Sequence, residues 1–108
     1  MFAANSSNIT LMTTTSFSTL ALDAAFVANL DTMGYRTMTP VQAQSLPLIL
    51  QGHDLIIQAE TGSGKTAAFG IGLLTRLKVD SRHVQALVLC PTRELADQVG
   101  KEIRRLAS

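Results

Sequence analysis

Cysteine, tryptophan and charged side chains are scarce in this sequence. The 108 residues include one cysteine, Cys90, and no tryptophan, and 16% of them are charged. One cysteine cannot form a disulfide within the chain, so we expect a reducing, cytoplasmic location. No apolar run approaches the ~18 residues that a membrane-spanning helix needs, so we also expect a soluble protein. The net charge of +1 neither requires nor excludes nucleic acid as a partner.

Charge is also missing from the N-terminal segment, where residues 1–16 are rich in Ser, Thr and Asn. A signal peptide needs a basic start and a longer apolar stretch, and a mitochondrial presequence needs arginines. We therefore predict that residues 1–16 are a disordered leader. A start of translation at Met12 is a further hypothesis, which peptides from residues 1–11 of the natural protein would contradict.

Hydrophobic spacing and capping residues predict four helices. Apolar residues at helical spacing predict the first over about residues 22–33, where a glycine follows. The second lies within residues 39–52, begins with a Thr-Pro pair suited to a helix start, and contains Pro47, which we expect to break or kink it. The third is predicted over about 64–78, and the fourth, with an apolar stripe, over 91–108.

Two short apolar runs have the composition of strands. The sequences are DLIIQA at residues 54–59 and VQALVLC at residues 84–90. Such continuous apolar runs are typical of strands buried on both faces of a parallel sheet. The alternation of strand and helix predicts the α/β fold class.

A glycine-rich loop, AETGSGKT at residues 59–66, joins the first predicted strand to the third predicted helix. This context is that of a P-loop, in which Gly62 and Gly64 let backbone N–H groups surround phosphate oxygens. Lys65 would reach the outer phosphates of ATP, and Thr66 would hold Mg²⁺ through its hydroxyl. The predicted nucleotide-binding residues of the loop are Thr61, Gly62, Ser63, Gly64, Lys65 and Thr66.

The loop departs from the strict P-loop pattern at its first position, where Ala59 replaces glycine. The departure costs little if the backbone at Ala59 has an ordinary conformation. The alternative interpretation is a glycine-rich turn between strand and helix with an exposed lysine. Several matching residues in the right order favour the phosphate site.

Two flanking stretches, TMTPVQAQSLPLIL at 37–50 and LVLCPTRELADQV at 87–99, accompany the loop. Their order and spacing resemble those of DEAD-box RNA helicases, from about Phe17 to the C-terminus. The resemblance implies an incomplete RecA-like P-loop domain, truncated after motif Ia, that belongs to an ATP-dependent RNA helicase. Within the family, the chain most resembles a bacterial member that acts on large-subunit ribosomal RNA. The resemblance therefore implies ribosomal RNA as the partner and ribosome assembly as the process.

The resemblance also assigns residues to adenine. Gln42 matches the glutamine of the family's Q motif, and Phe17, 25 positions earlier, resembles the upstream aromatic residue that stacks on the base. Met38 stands where proline is commoner in that motif. By itself, the stretch from Thr39 to Gln42 equally fits a capping box that begins the second helix. The two roles are compatible, because a capped helix end can fix the glutamine.

The stretch PTRELA resembles motif Ia, which grips the RNA backbone, and so implies RNA contacts by Thr92 and Arg93. Free N–H groups at the start of this helix could bind phosphate without reading sequence. The alternative is an ordinary N-cap followed by surface charges. We interpret the basic residues Lys101, Arg104 and Arg105 as a solvated helix face.

The 108 residues contain neither the D-E-A-D motif nor the second-domain arginines that this family uses for hydrolysis. We therefore assign no catalytic residue, and we expect the chain alone to be unstable and to lack ATPase activity. A non-catalytic nucleotide- or RNA-binding remnant of a truncated helicase gene remains an alternative. A small P-loop kinase is another, but it gives no role to Phe17, Gln42 or PTRELA.

Overall fold

The computed structural model describes residues 16–108, which form one 3₁₀ helix and four α-helices. Their bounds are Phe17–Thr19 for the 3₁₀ helix, Ala24–Thr32 for α1, Pro40–Leu50 for α2, Lys65–Arg76 for α3 and Arg93–Ala107 for α4. All four predicted α-helices are present.

The predicted leader lies outside the described residues except for its last residue, Ser16. The Ser16 hydroxyl accepts a hydrogen bond from Ser18 N at 3.2 Å and caps the 3₁₀ helix. Ser16 also forms an isolated antiparallel bridge with Thr37. Ser16 therefore contacts the folded part, and the leader predicted for the rest of this segment stays a prediction.

Helix α1 ends as its glycine predicts. Gly34 has φ = +89°, a left-handed conformation that glycine adopts without steric cost. This conformation lets Tyr35 N donate to Leu30 O at 2.8 Å and so turns the chain back over the end of α1. The residues after Gly34 thereby run beside the 3₁₀ helix, where Phe17 N donates to Arg36 O at 3.2 Å.

Helix α2 runs through Pro47, so this proline does not break the helix, and the alternative expectation of a kink stays a prediction. Proline removes one backbone hydrogen bond from a helix interior. Burial offsets that loss, because Ala43 and Leu46 are fully buried before the proline and Ile49 packs on the core after it.

The core lies where α2 packs on α3 and α3 packs on α4. Small residues let α2 and α3 approach closely, since a Cβ atom at Gly72 would lie 2.1 Å from Ile49 Cγ2. The buried hydrophobic cluster consists of Phe17, Leu30, Met38, Ala43, Leu46, Ala68, Ile71 and Leu106. It draws on every helix and fixes α3, the helix that follows the glycine-rich loop.

The two predicted strands do not form within residues 16–108, which is a correction to the sequence-based expectation. Residues 54–59 and 84–90 have no regular secondary structure there. A strand is stabilised by hydrogen bonds to a neighbour, and neither segment has a paired neighbour among the described residues. Several of their large apolar side chains are accordingly exposed, such as Leu87 at 79% and Leu89 at 85%, whereas Leu55, Ile57 and Val88 are partly buried. No helix within the described range is long and apolar enough to cross a membrane.

Candidate nucleotide and RNA site

The glycine-rich loop has the backbone conformation that its sequence predicts. Gly62 has φ = +84° and Gly64 has φ = +92°. Ser63 N donates to Glu60 O at 3.2 Å and closes the turn from Glu60 to Ser63. Helix α3 begins directly after Gly64, and no side chain of the described residues caps it. The first N–H groups of α3 therefore point into the loop without a side-chain acceptor, as an anion site requires.

One polar side chain of the loop is suited to phosphate. The Lys65 ammonium donates to Ala59 O, which folds the side chain back across the loop. The Ser63 hydroxyl is buried and has no hydrogen-bond partner within the described part of the chain, but Ser63 does not line the cavity in front of the loop. Lys65 and the first N–H groups of α3 therefore supply the groups that the phosphates of a nucleotide need.

The start of α2 is bonded directly to this loop. The Thr39 hydroxyl donates to Ser63 O at 2.8 Å, and Gln42 Nε2 donates to Gly64 O at 3.2 Å. The close approach depends on glycine, because a Cβ atom at Gly64 would lie 2.5 Å from Gln42 Nε2. The predicted adenine motif and the predicted phosphate loop therefore form one rigid unit.

The capping box that the sequence left open is present. Thr39 N donates to Gln42 Oε1 at 3.0 Å, and Gln42 N donates to the Thr39 hydroxyl at 3.3 Å. The Gln42 amide uses one N–H of Nε2 and one lone pair of Oε1 in hydrogen bonds within the chain. The second N–H and the second lone pair are available to a ligand. Gln42 is 1% exposed yet lines the cavity in front of the loop. Its role in adenine recognition stays a prediction, and it is compatible with capping.

Phe17 lies in the hydrophobic core and not in the wall of that cavity. Its residue exposure is 1%, and its ring meets Tyr35 edge to face, with centroids 6.1 Å apart and planes at 64°. The predicted stacking of Phe17 on adenine therefore requires the ring to leave this position. The role stays a prediction, and the structure adds this conformational requirement.

The predicted RNA contacts lie at the exposed start of α4. The Thr92 hydroxyl accepts a hydrogen bond from Leu95 N at 3.2 Å and caps the helix, as the alternative interpretation expects. Arg93 is exposed and begins the helix. Capping and phosphate binding use the same helix end, so the RNA role of Thr92 and Arg93 remains a prediction.

The basic residues farther along α4 are solvent-exposed. Lys101 pairs with Asp97 at 3.0 Å, and Arg105 pairs with Glu102 at 3.0 Å. Exposed pairs of this kind contribute little to stability. These contacts agree with the predicted solvated face.

A cavity of about 1070 Å³ opens in front of the loop. Loop residues 61–67 apart from Ser63 line one side, and residues 87–91 of the second apolar segment line the other. The volume is that of a site for a nucleotide-sized ligand. No group of three His, Cys, Asp or Glu residues that could hold a metal ion occurs among residues 16–108, so the predicted Mg²⁺ contact depends on Thr66 and the nucleotide.

One pair of residues in the cavity wall was missed by sequence reasoning. The Tyr35 hydroxyl donates to Glu102, a residue of α4 whose side chain is 18% exposed. Burial, the hydrogen bond to Glu102 and the negative charge of Glu102 raise the pKa of Tyr35 to about 12. Tyr35 itself is half-buried. Nothing in the sequence relates it to a residue 67 positions away.

Several known proteins have sequences similar to this chain. The DEAD/DEAH box helicase family matches residues 39–108. The chain is 63% identical over 94 residues to the ATP-dependent RNA helicase DbpA of Escherichia coli K12, a match that covers 86% of this chain and 21% of DbpA. It is 47% identical over 93 residues to the ATP-dependent RNA helicase CshA of Listeria monocytogenes, covering 86% of this chain and 18% of CshA. The chain thus spans about a fifth of the length of these curated relatives.

Solved structures show the same relationship. A DEAD box protein from Methanococcus jannaschii superimposes with a TM-score of 0.79 at 38% identity, covering 84% of this chain and 25% of that protein. S. cerevisiae Dbp5 bound to RNA and ADP BeF3 superimposes with a TM-score of 0.80 at 33% identity, covering 84% of this chain and 24% of Dbp5. These similarities confirm the RecA-like fold class, although the two strands are not formed here. The chain therefore belongs to the DEAD/DEAH box helicase family.

Proposed function

We propose that residues 17–108 are the part of an ATP-dependent RNA helicase that binds the phosphates and adenine of ATP and contacts the RNA backbone. One observation carries the proposal. The Thr39 hydroxyl and the Gln42 amide bond directly to the carbonyl oxygens of Ser63 and Gly64 in the loop. These bonds hold the predicted adenine motif beside the predicted phosphate loop, as a single nucleotide site requires.

Phosphate binding follows from the loop. The uncapped N–H groups of α3 offer hydrogen bonds to phosphate oxygens. Lys65 would exchange its bond to the neutral Ala59 carbonyl for a bond to a phosphate oxygen, in which donor and acceptor both carry charge. Thr66, in the first turn of α3, would hold Mg²⁺, which neutralises phosphate charge when it is bound.

Adenine binding depends on Gln42 and Phe17. The remaining N–H and lone pair of the Gln42 amide form a donor and acceptor pair that suits the edge of adenine. Guanine presents a different pattern, so we expect selection of ATP over GTP. Phe17 would stack on the base after its ring leaves the core.

RNA binding would use the exposed start of α4. Thr92 and Arg93 would contact phosphate groups, so binding would not depend on the base sequence. We extend the proposal to ribosomal RNA and ribosome assembly in the cytoplasm, because the motifs most resemble those of the bacterial member noted in the sequence analysis.

Hydrolysis requires carboxylates and arginines that the 108 residues do not include. Glu60 lies before the loop glycines and Glu94 in the first turn of α4, and neither is placed like the missing carboxylates. We therefore expect this part of the helicase to bind ATP and, by itself, not to hydrolyse it.

A nucleotide-binding assay on the chain tests the proposal. We expect a fluorescent ATP analogue to bind in the presence of Mg²⁺ and to be displaced by ATP more readily than by GTP. Lys65→Ala should weaken binding by roughly 10- to 100-fold, because it removes a charge-assisted hydrogen bond. Lys78→Ala, at an exposed lysine after α3, is the matched control and should leave binding unchanged. Equal affinity of the two variants would contradict the assignment of the loop.

A chimera separates the helicase from the alternative of a non-catalytic remnant. Residues 16–108 would replace the matched part of E. coli DbpA, to which they are 63% identical. RNA-stimulated phosphate release by the chimera supports the helicase proposal. A chimera that binds ATP but releases no phosphate with RNA supports the remnant.

A further inference from the structure

A line of contacts joins the predicted adenine residue Phe17 to helix α4. The Phe17 ring packs edge to face on Tyr35, and Phe17 N donates to Arg36 O at 3.2 Å. The Tyr35 hydroxyl then donates to Glu102 of α4, and Arg105 donates to the second oxygen of Glu102 at 3.0 Å. Three segments that are far apart in sequence thus meet through consecutive contacts.

The position of α4 is fixed at its C-terminal half. Asn29 Nδ2 of α1 donates to Arg105 O at 3.3 Å and to Leu106 O at 3.1 Å, and the Leu106 side chain is buried. The N-terminal half differs, because residues 93–98 are all exposed. Contacts at Glu102 and beyond therefore set the direction in which the start of α4 points.

We propose that Tyr35 and Glu102 are positioning residues that transmit adenine binding at Phe17 to the orientation of α4, and through it to the RNA contacts at Thr92 and Arg93. The inference rests on the proposed function. It assigns to Tyr35 and Glu102 the coupling of two sites that neither residue occupies.

The burial of Phe17 means that its ring has to change position before adenine can stack on it. At 1% exposure, its ring has no free face on which a base can stack. Stacking requires the ring to leave its contact with Tyr35, the residue before Arg36, whose carbonyl oxygen accepts a hydrogen bond from Phe17 N at 3.2 Å. In our proposal, loss of the ring contact frees Tyr35 from Glu102, so the chain has a bonded state, with Tyr35 on Glu102, and a released state, with adenine on Phe17. In the released state α4 loses one of its side-chain attachments.

Hydrogen exchange of the 108-residue chain, with and without ATP and Mg²⁺, tests this coupling. In the wild type, ATP should protect the loop at residues 61–66 and accelerate exchange in α4 by about threefold or more, because an attachment of the helix is released. Tyr35→Phe keeps the ring and removes the hydroxyl. In this variant α4 should exchange faster without ATP and show no further acceleration when ATP protects the loop.

A matched control and a second variant distinguish transmission of ATP binding to α4 from a purely structural contact between Tyr35 and Glu102. Thr32→Val removes an exposed hydroxyl that donates to Ala28 O at 3.0 Å within α1, and it should leave the ATP response of α4 unchanged. Glu102→Gln keeps an acceptor for Tyr35 but removes the charge, and it should give a smaller response than the wild type.

The outcomes are distinct. If Tyr35→Phe accelerates α4 exchange but leaves the ATP response intact, the pair is only a structural brace and the inference is overturned. A wild-type chain in which ATP protects the loop without changing α4 also overturns it and leaves the proposed function standing. Absence of loop protection in the wild type refutes the proposed function itself, and the inference with it.

Discussion

Replacing Gly64 with alanine tests whether the adenine motif and the phosphate loop depend on close approach as well as on hydrogen bonding. Alanine would have to adopt the left-handed conformation of Gly64, φ = +92°, which costs about 1–2 kcal/mol. Its Cβ would also lie 2.5 Å from Gln42 Nε2 and 3.0 Å from the Thr39 hydroxyl oxygen. Gln42 is fully buried, so its amide can yield only by giving up its bond to Gly64 O.

The two costs add to a sizeable local destabilisation. Losing the bond and leaving the amide unsatisfied costs about 1–2 kcal/mol more. The total of about 2–4 kcal/mol corresponds to a change of roughly 30- to 1,000-fold in the opening equilibrium of the first turn of α3. Ala68 N reports on this turn, because it donates to Gly64 O at 3.1 Å. Its amide exchange rate, measured by NMR, should rise by that factor.

Gly62→Ala is the matched control. Gly62 has nearly the same conformation, φ = +84°, but no atom lies within 4 Å of the position a Cβ would take. We expect it to bear the conformational cost alone, about 1–2 kcal/mol. If the two variants accelerate Ala68 exchange equally, close packing of Gln42 on the loop contributes nothing, and the reasoning fails.

Three further predictions concern packing, titration and hydrolysis. Gly72→Ala should lower the free energy of unfolding by about 1–3 kcal/mol in urea denaturation, because the alanine Cβ would lie 2.1 Å from Ile49 Cγ2. Adding Ile49→Ala to this variant should recover part of the loss. Tyr35 is the single tyrosine, so absorbance at 295 nm should follow its titration directly, with a midpoint near pH 12 that Glu102→Gln lowers toward 10.0. The pKa of Tyr35 in the folded chain exceeds its value in the unfolded chain. The stability that Tyr35 contributes is therefore complete below pH 10 and is lost between about pH 10 and 12. A midpoint that is not shifted would contradict the hydrogen bond from Tyr35 to Glu102. The 108-residue chain alone should release no phosphate from ATP with or without RNA, and RNA-stimulated release would show that the missing carboxylates are not required.

The local features of the site were predictable from sequence. The glycine spacing defined the loop, and the Thr-Pro pair with Gln42 defined the capped start of α2, because short-range sterics and capping determine such conformations. The first and fourth helices followed from hydrophobic spacing, the second from its capping residues and the third from its place after the glycine-rich loop. These features need only residues that are neighbours in sequence.

Features that depend on distant partners were not predictable. The contact between Tyr35 and Glu102 joins residues 67 positions apart, and the core position of Phe17 depends on which helices surround it. The strands failed for the same reason, because a strand needs a hydrogen-bonded neighbour that composition does not supply. At Pro47, tertiary contacts overrode a local preference. Proline disfavours a helix interior, but burial of the neighbouring residues stabilises α2 across it.

The bonds from Thr39 and Gln42 to the loop also bear on folding order. They span only 24 and 22 residues, and the two helices they join, α2 and α3, are consecutive along the chain. Contacts of such short separation close rapidly, whereas the pairing of distant strands is slow. During synthesis from the N-terminus, the cradle for the nucleotide can therefore take shape before any sheet is assembled around it.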